Sequence, residues 1–324
     1  MEKKLLDQRI FEDCLSHYTK SDGHTKFWPD LALKYNFKDG EDIRDKFKKE
    51  RKRRGIPSRD QRKDNVDVRQ SPRIFICDIE TLPGVGFYFN TFQTNISIDQ
   101  IIQDTCMLGW AGKFLNEPKM YSDIMTSDEA KKRDTKRITK SIWDILSTCD
   151  IVVGHNFQSF DRPYINGEFL KHGMSPLKYI VLDTLLTCRQ NFKFDSNKLA
   201  YVNRKLKIRQ KQENEGFPLW AKCHFGEQEA LDTMKNYNEG DISSTEDLFF
   251  EIRPYIRNFN IALYNELSEP QCPVCGSTNL LNEGSYFTSA GRWQSIRCQD
   301  CKSLSRAKEN LLTKEKKKSL LINS

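Results

Sequence analysis

The sequence predicts a mixed α/β domain with a small basic helical module before it and a cysteine-clasped segment after it. Three observations carry this expectation. Short, almost continuously apolar runs such as IFICDIE (74–80) and IVVGHN (151–156) read as strands covered on both faces. Strands come first and helices later, with βαβ steps between them, which is the order of a mixed α/β domain. Four of the ten cysteines fall in two C-x-x-C pairs near the end of the chain.

Composition bounds the possibilities. At 324 residues the chain has room for two domains, or one large domain with appendages. A mean hydropathy of −0.69 with 30% charged residues suits a surface-rich protein. No apolar run reaches the roughly 18 residues that span a bilayer, so no membrane partner is expected. The start, MEKKLLDQRIFEDC, lacks an apolar secretory core, so the expected location is the cytoplasm. The net charge of +7 suits a polyanionic partner, and equally an ordinary solvated surface.

The first element is a basic helical module over residues 1–55. In HTKFWPDLALKYNFKDGEDIRDKFKKERKRRG (24–55), one helix carries Trp28, Leu31 and Leu33, a Lys-Asp-Gly turn follows, and a second helix carries Ile43 and Phe47. The pattern resembles a helix-turn-helix. Arg44, Lys48 and Arg51 recur at i, i+4 and i+7, a basic stripe that can face nucleic acid or stand as the solvated face of a small bundle. Residues 44–73 hold thirteen Lys/Arg against five Asp/Glu, and apolar periodicity is lost after Gly55, so 56–72 reads as a linker.

The α/β domain is expected over 73–266. After IFICDIE, strands are predicted at GFYFN (86–90), TCMLGWAGKF (105–114) and PKMYSDI (118–124). A single helix is predicted across 127–149, with Ile138, Ile142, Ile145 and Leu146 on one side. Strand IVVGHN, a helix over 160–173 and strand YIVLDT (179–184) follow, and 197–208 and 229–256 read as helical.

Chemistry concentrates at three places. Asp78 and Glu80 are two apart at the end of an apolar strand, so strand alternation puts both carboxylates on one face. Their mutual repulsion is relieved by a divalent cation, or by solvent and a turn cap. Asp161, in GHNFQSFDRP, sits at the start of a helix, where it is a further acid for the site or an N-terminal cap. Tyr237 and Asp241, four apart, share a helix face and place a phenol beside a carboxylate, or are a packed Tyr beside a solvated Asp.

The motifs FICDIET, GHNFQSFD and YNEGD, in this order, resemble the three exonuclease motifs of the DnaQ-like (DEDD) superfamily, whose fold is RNase H-like, a mixed sheet flanked by helices. Tyr237 in Y-x-x-x-D places the resemblance in the tyrosine branch, the DEDDy exonucleases; the histidine branch would have His where this chain has Asn236. It covers about residues 73–256, and DIETLPGVGFYFN resembles exonucleases encoded by bacteriophages, which would put the protein in the cytoplasm of a host cell. It implies a 3′→5′ exonuclease working on two Mg2+ or Mn2+ ions held by Asp78, Glu80, Asp161 and Asp241, with Tyr237 placing the attacking water. The motifs are shared by DNA and RNA exonucleases, and the basic module tilts the expectation to DNA. A nucleic-acid-binding recruitment protein on the same scaffold is the alternative. Any proofreading role would need a replication or recombination protein in trans. His155 and Asn156, at a strand end, are candidates for contact with the terminal nucleotide; for His155 a backbone-satisfied turn is equally expected. Asp183 is a support for the acids or a structural link to the next helix.

Cys272, Cys275, Cys298 and Cys301, with twenty-two residues between the pairs, predict one closed structural zinc site. With Gly276 after the first pair and the strand-like SYFTSAGRWQSIRC between them, residues 268–310 resemble a zinc ribbon. Arg292, Trp293 and Arg297 offer charge and an aromatic face to nucleic acid, or pack on the metal site. Residues 311–324 read as a basic tail.

Overall fold

The computed structural model describes residues 7–20, 27–56, 71–92, 95–209 and 215–321. It divides into two compact units, residues 1–68 and 69–324. Nearly all of the expected linker lies outside the described residues.

The first unit contains α1 (Gln8–Lys20), α2 (Phe27–Lys34) and α3 (Gly40–Arg53). Asp39 caps α3 by accepting from the amides of Glu41 and Asp42, which ends the turn and fixes where the helix starts. Phe47 is the hub, with Phe11 stacked on it at 5.3 Å and Trp28 at 5.5 Å. Helix α1 was not foreseen. Leu33 was expected in this core and is 86% exposed; Ala32 is buried instead, because a helix that buries Trp28 and Leu31 turns residue 32 inward and 33 out.

The second unit is built on a five-stranded mixed sheet, order β5-β4-β1-β6-β7. The strands are β1 (Ile74–Leu82), β4 (Cys106–Phe114), β5 (Met120–Ile124), β6 (Ile151–Gly154) and β7 (Ile180–Asp183). β1 pairs antiparallel with β4 and parallel with β6, and β7 lies parallel to β6. Central β1 divides its side chains by parity. Phe75, Cys77 and Ile79 enter one core with Ile138, Ile142 and Ile165, whereas Ile74 and Ile76 enter the other with Ile242 and Phe249. Asp78 and Glu80 continue the second set.

That second core is capped by the longest helix, whose place in chain order follows from the helices before it. These are α4 (Ser127–Lys132), α5 (Lys136–Leu146), α6 (Asp161–Lys171), α7 (Thr184–Asn191), α8 (Leu199–Leu206) and α9 (Phe217–His224), so the long helix is α10 (Gln228–Ile252). Gly112 on β4 has no room for a side chain, since a Cβ there would lie 2.3 Å from the Phe75 ring.

Two expectations are corrected here. GFYFN is not a strand: pairing is confined to the short β2 (Val85–Gly86) and β3 (Ile101–Gln103), and Phe87, Tyr88 and Phe89 are exposed, so their alternation has no core to serve. The helix over 127–149 is two, broken at Arg133, whose backbone is left-handed (φ 53°). Its guanidinium donates to Gln103 Oε1 (3.0 Å) and to the Pro83 carbonyl (2.8 Å), contacts remote in sequence that hold the break.

After α10 the chain forms a three-stranded antiparallel sheet of β8 (Leu280–Thr288), β9 (Gly291–Cys298) and β10 (Leu304–Asn310), with β9 central. The Ile261 amide donates to the Pro273 carbonyl at 2.7 Å, tying the cysteine segment to the chain that leaves α10. The basic tail carries a short exposed helix, α11 (Lys314–Lys318).

Candidate active site

Strand β1 and helix α10 assemble the acids. Asp78 and Glu80 stand opposite Ala111 and Gly109 of β4, and the pairing shifts register just after Glu80. Tyr237 and Asp241 face the sheet from α10, one turn apart and both buried. Carboxylate oxygens of Asp78, Glu80 and Asp241 lie within 4.8 Å of one another, a group able to hold a metal ion. Three anions gathered so closely repel one another, and a divalent cation is the simplest compensation.

Asp161 is brought to the strand by another route and is not in that group of three. β6 pairs with β1 only as far as Ile76, so beyond it the inner edge of β1 has no strand partner. Asp161 Oδ1 replaces it, accepting from the Ile79 amide at 3.0 Å, between the two motif acids. Burial pushes the Asp161 carboxyl up to about 7, against the lowering effect of the Ile79 amide.

The acids open on a cleft of about 770 Å3 that Tyr237, His155, Asn156 and Trp220 also line. His155 Nε2–H donates to the Asn197 carbonyl at 2.9 Å and its Nδ1 lies 2.9 Å from the Thr184 hydroxyl, so this ring braces two walls of the cleft. Asn156 adopts φ 71°, and its amide donates to Asp183 Oδ1. Asp183 also accepts from the amides of Gln158 and Leu186, the latter at the start of α7. Of the two roles open to it, the structural link is the one its contacts define.

Several residues in and behind the cleft were not foreseen. Asn238, 3% exposed, donates from Nδ2 to Asp78 Oδ2 at 2.8 Å. Its signal was available, since residue 238 lies three before Asp241 and hence on the inward face of the same helix. Trp220 meets Tyr237 edge to face with centroids 6.3 Å apart, and Arg189 and Lys198 bring positive charge to the cleft. These three have no local signal, because tertiary folding alone carries them there.

The four paired cysteines converge as a second group. Their closest Sγ–Sγ separations, 3.5 Å (Cys272–Cys301) and 3.6 Å (Cys275–Cys298), approach the edge of a tetrahedron with metal–sulfur bonds of about 2.3 Å and far exceed a disulfide. Each pair ends in the same knuckle: Gly276 (φ 76°) donates to the Cys272 carbonyl, and Lys302 (φ 65°) to that of Cys298. Hydrogen bonds from Cys275 and Ser303, with the Val274 amide, push the Cys272 thiol below its ordinary range, while the same contact with Cys272 raises Cys275. Trp293 is buried under the Arg306 guanidinium, 4.3 Å above its ring, so it packs within the segment.

In the first unit, Arg44 and Lys48 are exposed. Arg51 instead donates to the Ile56 carbonyl at 2.7 Å, serving the end of α3. Among the described residues no helix is long and apolar enough to cross a membrane.

Residues 110–252 match the family model of the RNase_H superfamily. The stretch begins on β4 and runs through α10, so it contains Asp161, Tyr237 and Asp241. With the sheet order and flanking helices, it defines the central domain as RNase H-like. Among solved structures, the family B DNA polymerase from the hyperthermophilic archaeon Pyrobaculum calidifontis aligns with 57% of this chain at 16% identity and a TM-score of 0.41. The alignment covers 25% of that polymerase. No curated protein matches the chain.

Proposed function

We propose that the protein is a metal-dependent 3′→5′ exonuclease acting on DNA. The observation that carries this reading is the convergence of Asp78, Glu80 and Asp241 within 4.8 Å, beside Tyr237, in an open cleft of an RNase H-like domain. Two Mg2+ or Mn2+ ions held there would acidify an attacking water and neutralise the charge that develops on the phosphate and the leaving 3′-oxygen. Asp78, oriented by Asn238, would hold these ions together with Glu80 and Asp241. Asp161 completes the acidic set that the resemblance assigns to the second ion. Tyr237, its ring held by Trp220, directs its hydroxyl to the attacking water. Arg189 and Lys198 offset the phosphate charge of the bound strand, and His155 and Asn156 shape the wall against the terminal nucleotide.

DNA is favoured by the resemblance of the helical module to a helix-turn-helix, whose exposed Arg44 and Lys48 can also meet phosphates. The four-cysteine segment is a structural zinc ribbon in this reading, because four thiolates leave no open coordination position. The test is nucleotide release from matched DNA and RNA strands with Mg2+ or Mn2+. Wild-type protein should release nucleotides from DNA faster, chelation should stop release, and Asp241→Asn should lower it by at least about a hundred-fold. Equal release by Asp241→Asn overturns the catalytic assignment, and faster release from RNA overturns the assignment to DNA.

A further inference from the structure

We infer that the hollow between the end of α10 and the cysteine segment is a second binding track for single-stranded nucleic acid. Two cavities of about 670 and 440 Å3 adjoin there and share Ile256, Arg257, Tyr286 and Leu304. Their linings hold five cations, Arg257, Arg297, Lys302, Arg306 and Lys308, against one carboxylate, Glu251. Arg297 is neutralised by Glu283 at 2.6 Å, which leaves an excess of positive charge on the others. Tyr255 and Tyr286, 50% and 40% exposed, both line it, one from just after α10 and one from β8. A cationic furrow with exposed rings on its walls fits a polyanion with stacking bases, and a single strand supplies both.

The furrow leads toward the acids. A third hollow shares Tyr255, Ile256 and Arg257 with it and reaches Leu186, Thr187 and Gln190 of α7. The other face of that helix, with Leu185 and Arg189, lines the cleft of Asp78 and Asp241. A strand whose end lies among the carboxylates can therefore pass over α7 and run between the two parts of the second unit. The cysteine cluster, by fixing the knuckle at Lys302 and the start of β10, holds one wall of this track in place. The inference rests on the proposed nuclease activity only for which end of the strand lies at the acids.

The test is binding in the presence of chelator, so that it does not depend on hydrolysis. Fluorescence anisotropy of labelled single strands of about 25 nucleotides, DNA and RNA in separate arms, compares the full-length wild-type chain with the triple variant Arg257→Gln, Lys302→Gln, Lys308→Gln. Loss of three phosphate contacts lowers the slope of log affinity against log salt by about 2, so a four-fold rise in salt costs the variant roughly 16-fold less affinity than wild type. A second variant, Tyr286→Ala, leaves the charges in place and should weaken binding at least about five-fold by loss of one stacked base. Metal content per chain and melting temperature establish that each variant is folded. Unchanged affinity and salt slope in the folded triple variant, in both arms, overturn the proposal. Absence of hydrolysis with metal would overturn the nuclease reading and leave this result standing.

Discussion

Replacing Asn238 with alanine removes a side chain on α10 that donates to Asp78, through a 2.8 Å hydrogen bond. A hydrogen bond to a charged group contributes about 1.5–3 kcal/mol, and at about 1.4 kcal/mol per decade this is one to two orders of magnitude in an equilibrium constant. That agrees with the roughly 10–100-fold loss expected when a residue orienting a metal ligand is removed. Asn238→Ala should therefore raise the Mn2+ concentration giving half-maximal nucleotide release by about 10–100-fold. Near saturation the rate should recover most of its wild-type value, because every ligating carboxylate remains. The assay is a Mn2+ titration of initial rates, with melting temperature as the folding control. A half-saturating concentration within about two-fold of wild type, in a folded variant, would refute the account of how Asp78 is held.

Three further outcomes follow from the packing. The Asp161 carboxyl is raised to about 7 from 3.8, so the folded state binds its proton more tightly than the unfolded chain does. Its contribution to stability is then full below about 4 and is lost as pH rises through about 7; melting in chelator should show this decline, and Asp161→Asn should flatten it. Cys298→Ser opens the four-thiolate set, so zinc measured per chain should fall from one to none and cleavage by protease within 268–310 should accelerate. At Gly112 an added methyl meets the Phe75 ring at 2.3 Å and the Ile76 carbonyl at 2.5 Å, so Gly112→Ala should cost about 1–3 kcal/mol in denaturant unfolding, and an unchanged midpoint would contradict the packing of β4 on β1.

The sequence was most readable where local pattern and final environment coincide. The apolar residues of IFICDIE reflect a central β1 covered on both faces, and its period of two puts Asp78 and Glu80 on one face of the sheet. The cysteine pairs were legible because knuckle geometry is local, each C-x-x-C closing on its own left-handed residue. Legibility failed where distant residues decide. In 127–149 the only local sign of a break is Asp134-Thr135, where Asp134 accepts from the Lys136 amide, and the partners of Arg133 at 83 and 103 to 104 are remote in sequence. GFYFN has the alternation of a strand and no sheet to pack on. Trp220, Arg189 and Lys198 enter the cleft from three separate segments, so only the fold reveals them.

The most direct test of the central claim is cleavage of strands labelled at the 5′ end, read at nucleotide resolution with Mg2+ or Mn2+, for the wild-type chain and Asp78→Ala. The account predicts a ladder shortening one nucleotide at a time from the 3′ end with the wild-type protein, and intact strands with Asp78→Ala. Strands left intact by the metal-loaded wild-type protein, or the same ladder from both proteins, would contradict it.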